Sequence, residues 1–399
     1  MRFWALRPLR DQAWISSGRF LLLGLLLVLL LSAALAQLST ADHLAEPEFW
    51  PTRPAASRSE FVGAERCASC HPQQAASQKN TAMAQTLAPT LDSPTLDSTL
   101  LHSHPEMRFA VGRYHYEIKT SAHQSVYSVT DGTRTLTAPL LWSFGNGHVG
   151  QSYLFKKADG KFYEARVTYF GTLDTLHFTP ARALDAPKDL EEAMDRPVNA
   201  SEVGRCFGCH STASTSGEQF DEHNLILGIS CEACHGPGGK HVAAEQAALA
   251  STGLVGGEFI FNPARLIPAD SVDFCGACHG TWWDVKLSGV KGVTTAKSQP
   301  YRLESSKCWG KGDARLTCVA CHNPHAPLQT DASAYDKVCL SCHVGAGEKK
   351  TASRTAASCP VSTKDCVTCH MPKVDVPEMH YKFTDHRIRV VRAGEGYPE

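Results

Sequence analysis

The chain carries almost no net charge: 39 Lys and Arg against 40 Asp and Glu in 399 residues leave −1. A broad basic face is thereby excluded, and with it the electrostatic footprint of a nucleic-acid-binding protein. There is no low-complexity tract, so length alone sets the scale, at one large domain or two ordinary ones. After residue 36 no apolar stretch is long enough to span a bilayer. Between Met107 and Thr179 there is no cysteine. That gap is conspicuous because the rest of the chain holds 16 Cys and 19 His.

The first 36 residues read as an export segment. Arg2, Arg7, Arg10 and Arg19 make a positive start, Phe20 to Leu31 is unbroken apolar sequence, and Ala34-Leu35-Ala36 has the small-x-small form of a cleavage site. The 17 residues from Phe20 to Ala36 are at the lower limit for crossing a membrane. Residues 1–36 are therefore expected to be a signal peptide or a retained N-terminal anchor, and a lipid anchor on cysteine is excluded because the segment has none. Either way the remainder faces the oxidising periplasmic or extracytoplasmic side. Sixteen cysteines there would ordinarily imply a disulfide framework.

Their spacing implies something else. Cys-x-x-Cys-His occurs seven times: Cys67, Cys70, His71; Cys206, Cys209, His210; Cys231, Cys234, His235; Cys275, Cys278, His279; Cys318, Cys321, His322; Cys339, Cys342, His343; and Cys366, Cys369, His370. In this motif two thiols form thioethers to the haem vinyl groups, and the adjacent imidazole becomes the proximal iron ligand. One copy could be a zinc half-site or a redox dithiol. Seven copies, each followed by His, predict seven haem c groups. Cys308 and Cys359 are left over, and a disulfide between them is the simplest use in an oxidising compartment.

Seven irons also call for distal ligands, and twelve histidines remain outside the motifs. His241 follows the third motif through Gly236-Pro237-Gly238-Gly239, and His325 follows the fifth through Asn323-Pro324. His380 and His386 follow the last, six residues apart, so they can reach two different irons. These four are the leading candidates, with His177, His223 and His148 behind them; Met83 is a further option, though a packing role suits it better. His43 and His115 read as structural.

The predicted fold class is a multihaem cytochrome, with mostly short α-helices and loops wrapped around seven haems and a small antiparallel β subdomain. After residues 1–36 come a polar linker (37–60), a first haem segment (61–90), a β-rich subdomain (91–200) and a six-haem domain (201–399). The β reading rests on runs such as RFAVGRYHYEIKT and SYLFKKADGKFYEARVTYF, punctuated by Asp131-Gly132 and Asp159-Gly160 as hairpin turns. Residues 88–100 read as a loop.

The stretches CFGCH…GISCEACHGPGGKH, DFCGACHGTWWD, CVACHNPH and CVTCHMPK…HYKFTDHRIRV resemble bacterial multihaem c-type cytochromes. These are related to the tetrahaem cytochromes that accept electrons from hydroxylamine oxidoreductase and to tetratricopeptide-linked CxxCH cytochromes. The resemblance covers residues 61–90 and 200–395, and the β-rich middle only loosely. It implies that His241 is a distal ligand and that the haems stack into a continuous electron path. The chain departs from the family in having seven motifs rather than four, and it has neither a tetratricopeptide array nor a Cys-x-x-Cys-Lys motif. No tyrosine aligns with the crosslink of hydroxylamine oxidoreductase.

The expected function is a relay of single electrons between redox partner proteins, a donor and an acceptor, with no catalytic residue assigned. Bis-His ligation keeps such irons low-spin in both oxidation states. Lys156, Lys157, Arg387 and Arg389 are candidate partners for haem propionates. One alternative is an oxidoreductase in which one haem, the first by its isolation, stays open to a small nitrogen or sulfur compound. The other is a structural or polymerising subunit of a respiratory assembly, as a homo- or hetero-oligomer.

Overall fold

The structure is a computed structural model and describes residues 56–90, 99–180, 187–216, 219–251, 257, 259–309, 316–343 and 359–398. The export segment, the linker up to residue 55, His43 and most of the 88–100 loop lie outside the described residues. No helix among the described residues is long and apolar enough to cross a membrane.

Alternation of apolar and polar residues dictates the first sheet. Strands β2 (Glu106–Val111), β3 (Tyr114–Thr120), β4 (Ser125–Thr130) and β5 (Thr135–Pro139) form an antiparallel meander. Tyr114, Tyr116 and Ile118 bury one face of β3 while His115 and Lys119 stay outside, the period-2 pattern of a half-buried strand. Gly132 closes the β4–β5 turn at φ 89°, as an Asp-Gly hairpin requires.

A second antiparallel sheet has seven strands. β1 (Leu87–Pro89), β6 (Trp142–Phe144), β7 (Gly150–Lys156), β8 (Phe162–Ala165) and β11 (Asp195–Pro197) lie side by side. β9 (Val167–Phe170) pairs with β7 and with β10 (Thr175–Phe178). Along β7 the pleat splits the core in two. Tyr153 and Phe155 join Tyr116, Tyr127 and Val129 of the four-stranded sheet in one cluster, whereas Leu154 points the other way, to Phe162, Val203 and Phe207. One face of the seven-stranded sheet is thus the β core. The other is a platform for the helix Ala200–His210, which carries the second Cys-x-x-Cys-His.

The expected proportions need correction. The sheets are not a small appendage to a helical protein; they hold the largest hydrophobic cluster among the described residues. Extra strands come from segments too short to show alternation. β1 pairs Leu87 with Phe144 across the sheet, although it belongs by sequence to the first motif segment. β11 pairs Asp195 with Ala165. Outside the sheets, helices are short, and Ala200–His210, Cys231–His235, Pro268–His279 and Cys366–His370 end on a motif histidine.

Candidate functional site

Each motif occupies one turn of helix. The His71, His322 and His343 amides donate to the Cys67, Cys318 and Cys339 carbonyls at 2.8, 2.9 and 3.0 Å. The other four motifs end the helices Ala200–His210, Cys231–His235, Pro268–His279 and Cys366–His370. One turn puts thiols three residues apart on a common face with the imidazole beside them. The helix Ala200–His210 is positioned most firmly. Asn199 and Glu202 form its capping box, and Val203 and Phe207, four residues apart, anchor it to the sheet platform.

The imidazoles are oriented through Nδ1. A carbonyl can only accept, so a ring nitrogen bonded to one carries the proton. His235 Nδ1 donates to Phe261 O at 2.8 Å, and His370 Nδ1 to Arg389 O at 2.8 Å. His210 Nδ1 lies 3.1 Å from Thr86 O and 2.6 Å from its hydroxyl. His386, a predicted distal ligand, donates Nδ1 to Thr384 O at 2.9 Å. In all four the Nε2 lone pair is left for a metal, the way ligating histidines are held. Desolvation holds His210, His279, His322 and His325 below the usual imidazole range. The same cause takes His386 down to about 4. Neutral imidazole is the form an iron accepts.

Two pairs of imidazole rings stand opposite one another. His235 and His325 have ring centres 6.0 Å apart and planes 6° from parallel. His322 and His386 are 6.1 Å apart at 40°. Two metal–imidazole bonds of about 2 Å on opposite sides of one ion, with about 1 Å more from each nitrogen to its ring centre, require a separation of about 6 Å. Each pair joins a motif histidine to a predicted distal one, and the residues present fit a haem iron between them. A different pair does not. His177 and His380 have centres only 4.5 Å apart at 72°, too close to lie on opposite faces of one iron. His177 instead packs on Phe109 and Phe178, and His380 on Phe170.

The motifs touch one another in sequence-distant pairs. The Cys67 thiol lies beside that of Cys231, Cys209 beside Cys278, Cys275 beside Cys318, and Cys339 beside Cys366, and the helices that carry them pack together. Cys234 interacts electrostatically with Cys275, and Cys321 with Cys339. These contacts link the first motif to the third, then the fourth, fifth, sixth and seventh, with the second joined to the fourth. Two carboxylates fasten the chain of motifs. Asp336 accepts the Asp365 and Cys366 amides at 2.8 and 2.9 Å, holding the seventh motif on the sixth. Glu232, 1% exposed inside the third motif, accepts the Val62 and Gly63 amides at 2.9 Å each and the Gly238 amide at 2.8 Å. Replacing Glu232 by Ala would orphan those donors and should cost about 3 kcal/mol. Chemical unfolding of the haem-loaded protein would read this as a lowered midpoint, with Gln at this position recovering part of the loss.

Some expectations meet a different placement. Cys308 and Cys359 are free thiols, and Cys308 neighbours Cys342 of the sixth motif rather than Cys359. Lys156 and Lys157 are engaged by Glu222 and Asp195, and Arg389 by Asp385. His223 and His148 are exposed, the latter beside Tyr381 with ring centres 5.9 Å apart. His241 begins the helix Gly239–Ser251, which packs on residues 58–60 ahead of the first motif, and Lys240 pairs with Glu60 at 3.9 Å. Among the described residues no three His, Cys, Asp or Glu side chains converge as a metal cage. The carbonyls of Thr86, Phe261 and Arg389 were not legible beforehand, since backbone acceptors leave no residue-type signal.

No curated protein is significantly similar to the chain. In overall fold it is similar to the crystal structure of the outer cell wall cytochrome OcwA, at a TM-score of 0.46 and 15% identity over 83% of this chain and 80% of that one. Residues 173–236, which hold the second and third motifs, match the family described as cytochrome c554 and c-prime, and over that stretch the chain is similar to c-type cytochromes.

Proposed function

We propose that the protein is an extracytoplasmic electron carrier that holds seven haem c groups and relays single electrons between a donor and an acceptor protein. The observation that carries this reading is the side-by-side placement of motif thiols in sequence-distant pairs, the first with the third, the second with the fourth, the fourth with the fifth and the sixth with the seventh. When bound, the haems supply reversible one-electron chemistry. The chain's own residues do the rest. Paired thiols would anchor each group, His235 with His325 and His322 with His386 would hold two of the irons, and carbonyls fix the ring orientations of His235, His370, His210 and His386. A six-coordinate iron exchanges no ligand as it changes oxidation state, which favours relay over turnover. His241 is assigned to the first iron, because its helix packs beside the segment leading into the first motif.

His380 and His386 are not assigned to the first iron. His386 faces His322 and His380 faces the sheet. The N-terminal segment would export the chain and either be removed or anchor it. The direct test is the mass of protein matured with haem-attachment machinery. It should exceed the processed polypeptide by seven haem masses; a stable six-haem product would remove one motif. Oxidised protein that is uniformly low-spin supports the relay, whereas one high-spin haem that binds small anions supports the oxidoreductase.

A further inference from the structure

The segment from Asp385 to Arg392 belongs to no helix or strand, yet it supplies ligand geometry to two motifs. It presents His386 to His322. Its Arg389 carbonyl receives His370 Nδ1 at 2.8 Å, and the Arg389 amide donates back to His370 O at 3.2 Å. Irregular backbone has no ladder to hold it, so its position must come from side chains.

Those side chains form a buried ion network. Arg302 and Asp385 are both 0% exposed. Arg302 grips Asp385 with both prongs, Nε to Oδ1 at 2.8 Å and Nη2 to Oδ2 at 3.0 Å. Its remaining nitrogen, Nη1, donates to Pro398 O at 3.0 Å, and its guanidinium lies 4.5 Å from the Tyr397 ring centre. Arg389 Nη1 donates to the same Asp385 Oδ2 at 2.7 Å. Around the network the backbone is pinned: Asp385 N donates to Pro372 O at 2.9 Å, Ser306 Oγ donates to His386 O at 3.2 Å, and Ile388 N donates to Ser306 Oγ at 2.8 Å. A buried ion pair adds little net stability against an apolar substitute, but it tolerates only one geometry.

We infer that the Arg302–Asp385–Arg389 network is a positioning device that sets the axial ligands of two irons together, through His386 for the fifth motif and through the Nδ1 bond of His370 for the seventh. The inference rests on the axial-ligand reading above. Asp385 carries His386 as its next residue and Arg389 one helical turn's length further on, so moving Asp385 moves both. One carboxylate thereby ties the ligand field of the fifth motif to that of the seventh.

Seven-haem, full-length protein tests it by electron paramagnetic resonance and redox titration. The signal of the seventh motif is identified by its absence from a Cys366→Ala/Cys369→Ala product, and that of the fifth by its conversion in His386→Ala. Asp385→Asn should shift these two low-spin signals and their midpoint potentials and leave the other five in place. Arg302→Lys, which keeps the charge but loses the two-pronged grip, should move the same two by less. Two results separate the levels of the argument. If His386→Ala opens one iron but Asp385→Asn leaves every signal unmoved, the network is a structural brace only and the inference is overturned. If His386→Ala leaves all irons low-spin, the ligand reading itself fails and takes the inference with it. Should Asp385→Asn not accumulate, Arg389→Gln carries the test: it leaves Arg302 paired with Asp385, and an unshifted seventh-motif signal overturns the inference.

Discussion

Alanine at His325 is expected to turn the haem on His235 from low-spin to five-coordinate, and alanine at His386 to do the same for the haem on His322. Each change should affect one haem of seven. The argument is geometric. Ring centres 6.0 and 6.1 Å apart leave room for one iron and its two bonds, and for nothing else. In each pair one member is held through Nδ1, His235 by Phe261 O and His386 by Thr384 O, so its Nε2 lone pair is left for the metal. Removing the opposite ring leaves a vacant position that no neighbour fills without moving backbone. The high-spin signal should be accompanied by carbon monoxide binding at one equivalent per protein, and added imidazole should restore the low-spin form. His223→Ala, at an exposed position on a separate turn, should do none of this. Two silent variants at His325 and His386 would discard the axial pairs.

What was legible in the sequence divides along covalent lines. Thioether attachment demands contiguous residues, so Cys-x-x-Cys-His announces itself wherever it occurs, and the strands with clean alternation, such as Tyr114–Thr120, were equally readable. Axial pairing is a long-range property. His235 meets a histidine that follows the fifth motif, and His322 meets one that follows the seventh. Spacing from the nearest motif therefore singled out His325 and His386 without identifying their irons. Six positions apart, His380 and His386 do point to different places, one to Phe170 on the sheet and one to His322. His177 packs on Phe109 and Phe178, and a histidine in a β run between aromatic neighbours looks the same in sequence whether it packs or ligates. The sheet was underestimated for a related reason: three-residue strands such as Leu87–Pro89 carry no period, and only their partners define them.

Losing the fourth haem is expected to break the relay, while losing the second is expected to shorten it only at its side branch. The distinction follows from which motifs touch. Cys209 lies beside Cys278 and donates to the Ala277 carbonyl of the same motif at 3.7 Å, so the second motif hangs from the fourth. The fourth, by contrast, meets the second through Cys278, the third through Cys234 and Cys275, and the fifth through Cys275 and Cys318. Its His279 also lies within electrostatic reach of His322 of the fifth motif and of His210 of the second. Every path that the motif thiols alone make from the first and third motifs to the fifth, sixth and seventh therefore runs through it; the His235–His325 pair is the other place where the third motif meets the segment after the fifth. Cys206→Ala/Cys209→Ala and Cys275→Ala/Cys278→Ala products should each carry six haems by mass. Reduced by a small-molecule donor in a stopped-flow instrument, the first should fill its haems as one exchanging set, as the intact protein does. The second should resolve into separately reduced groups of one, two and three haems, corresponding to the second motif, the first with the third, and the fifth with the sixth and seventh. A single exchanging set in both products would show that electrons bypass the fourth motif, by way of the His235–His325 pair that joins the third motif to the segment after the fifth.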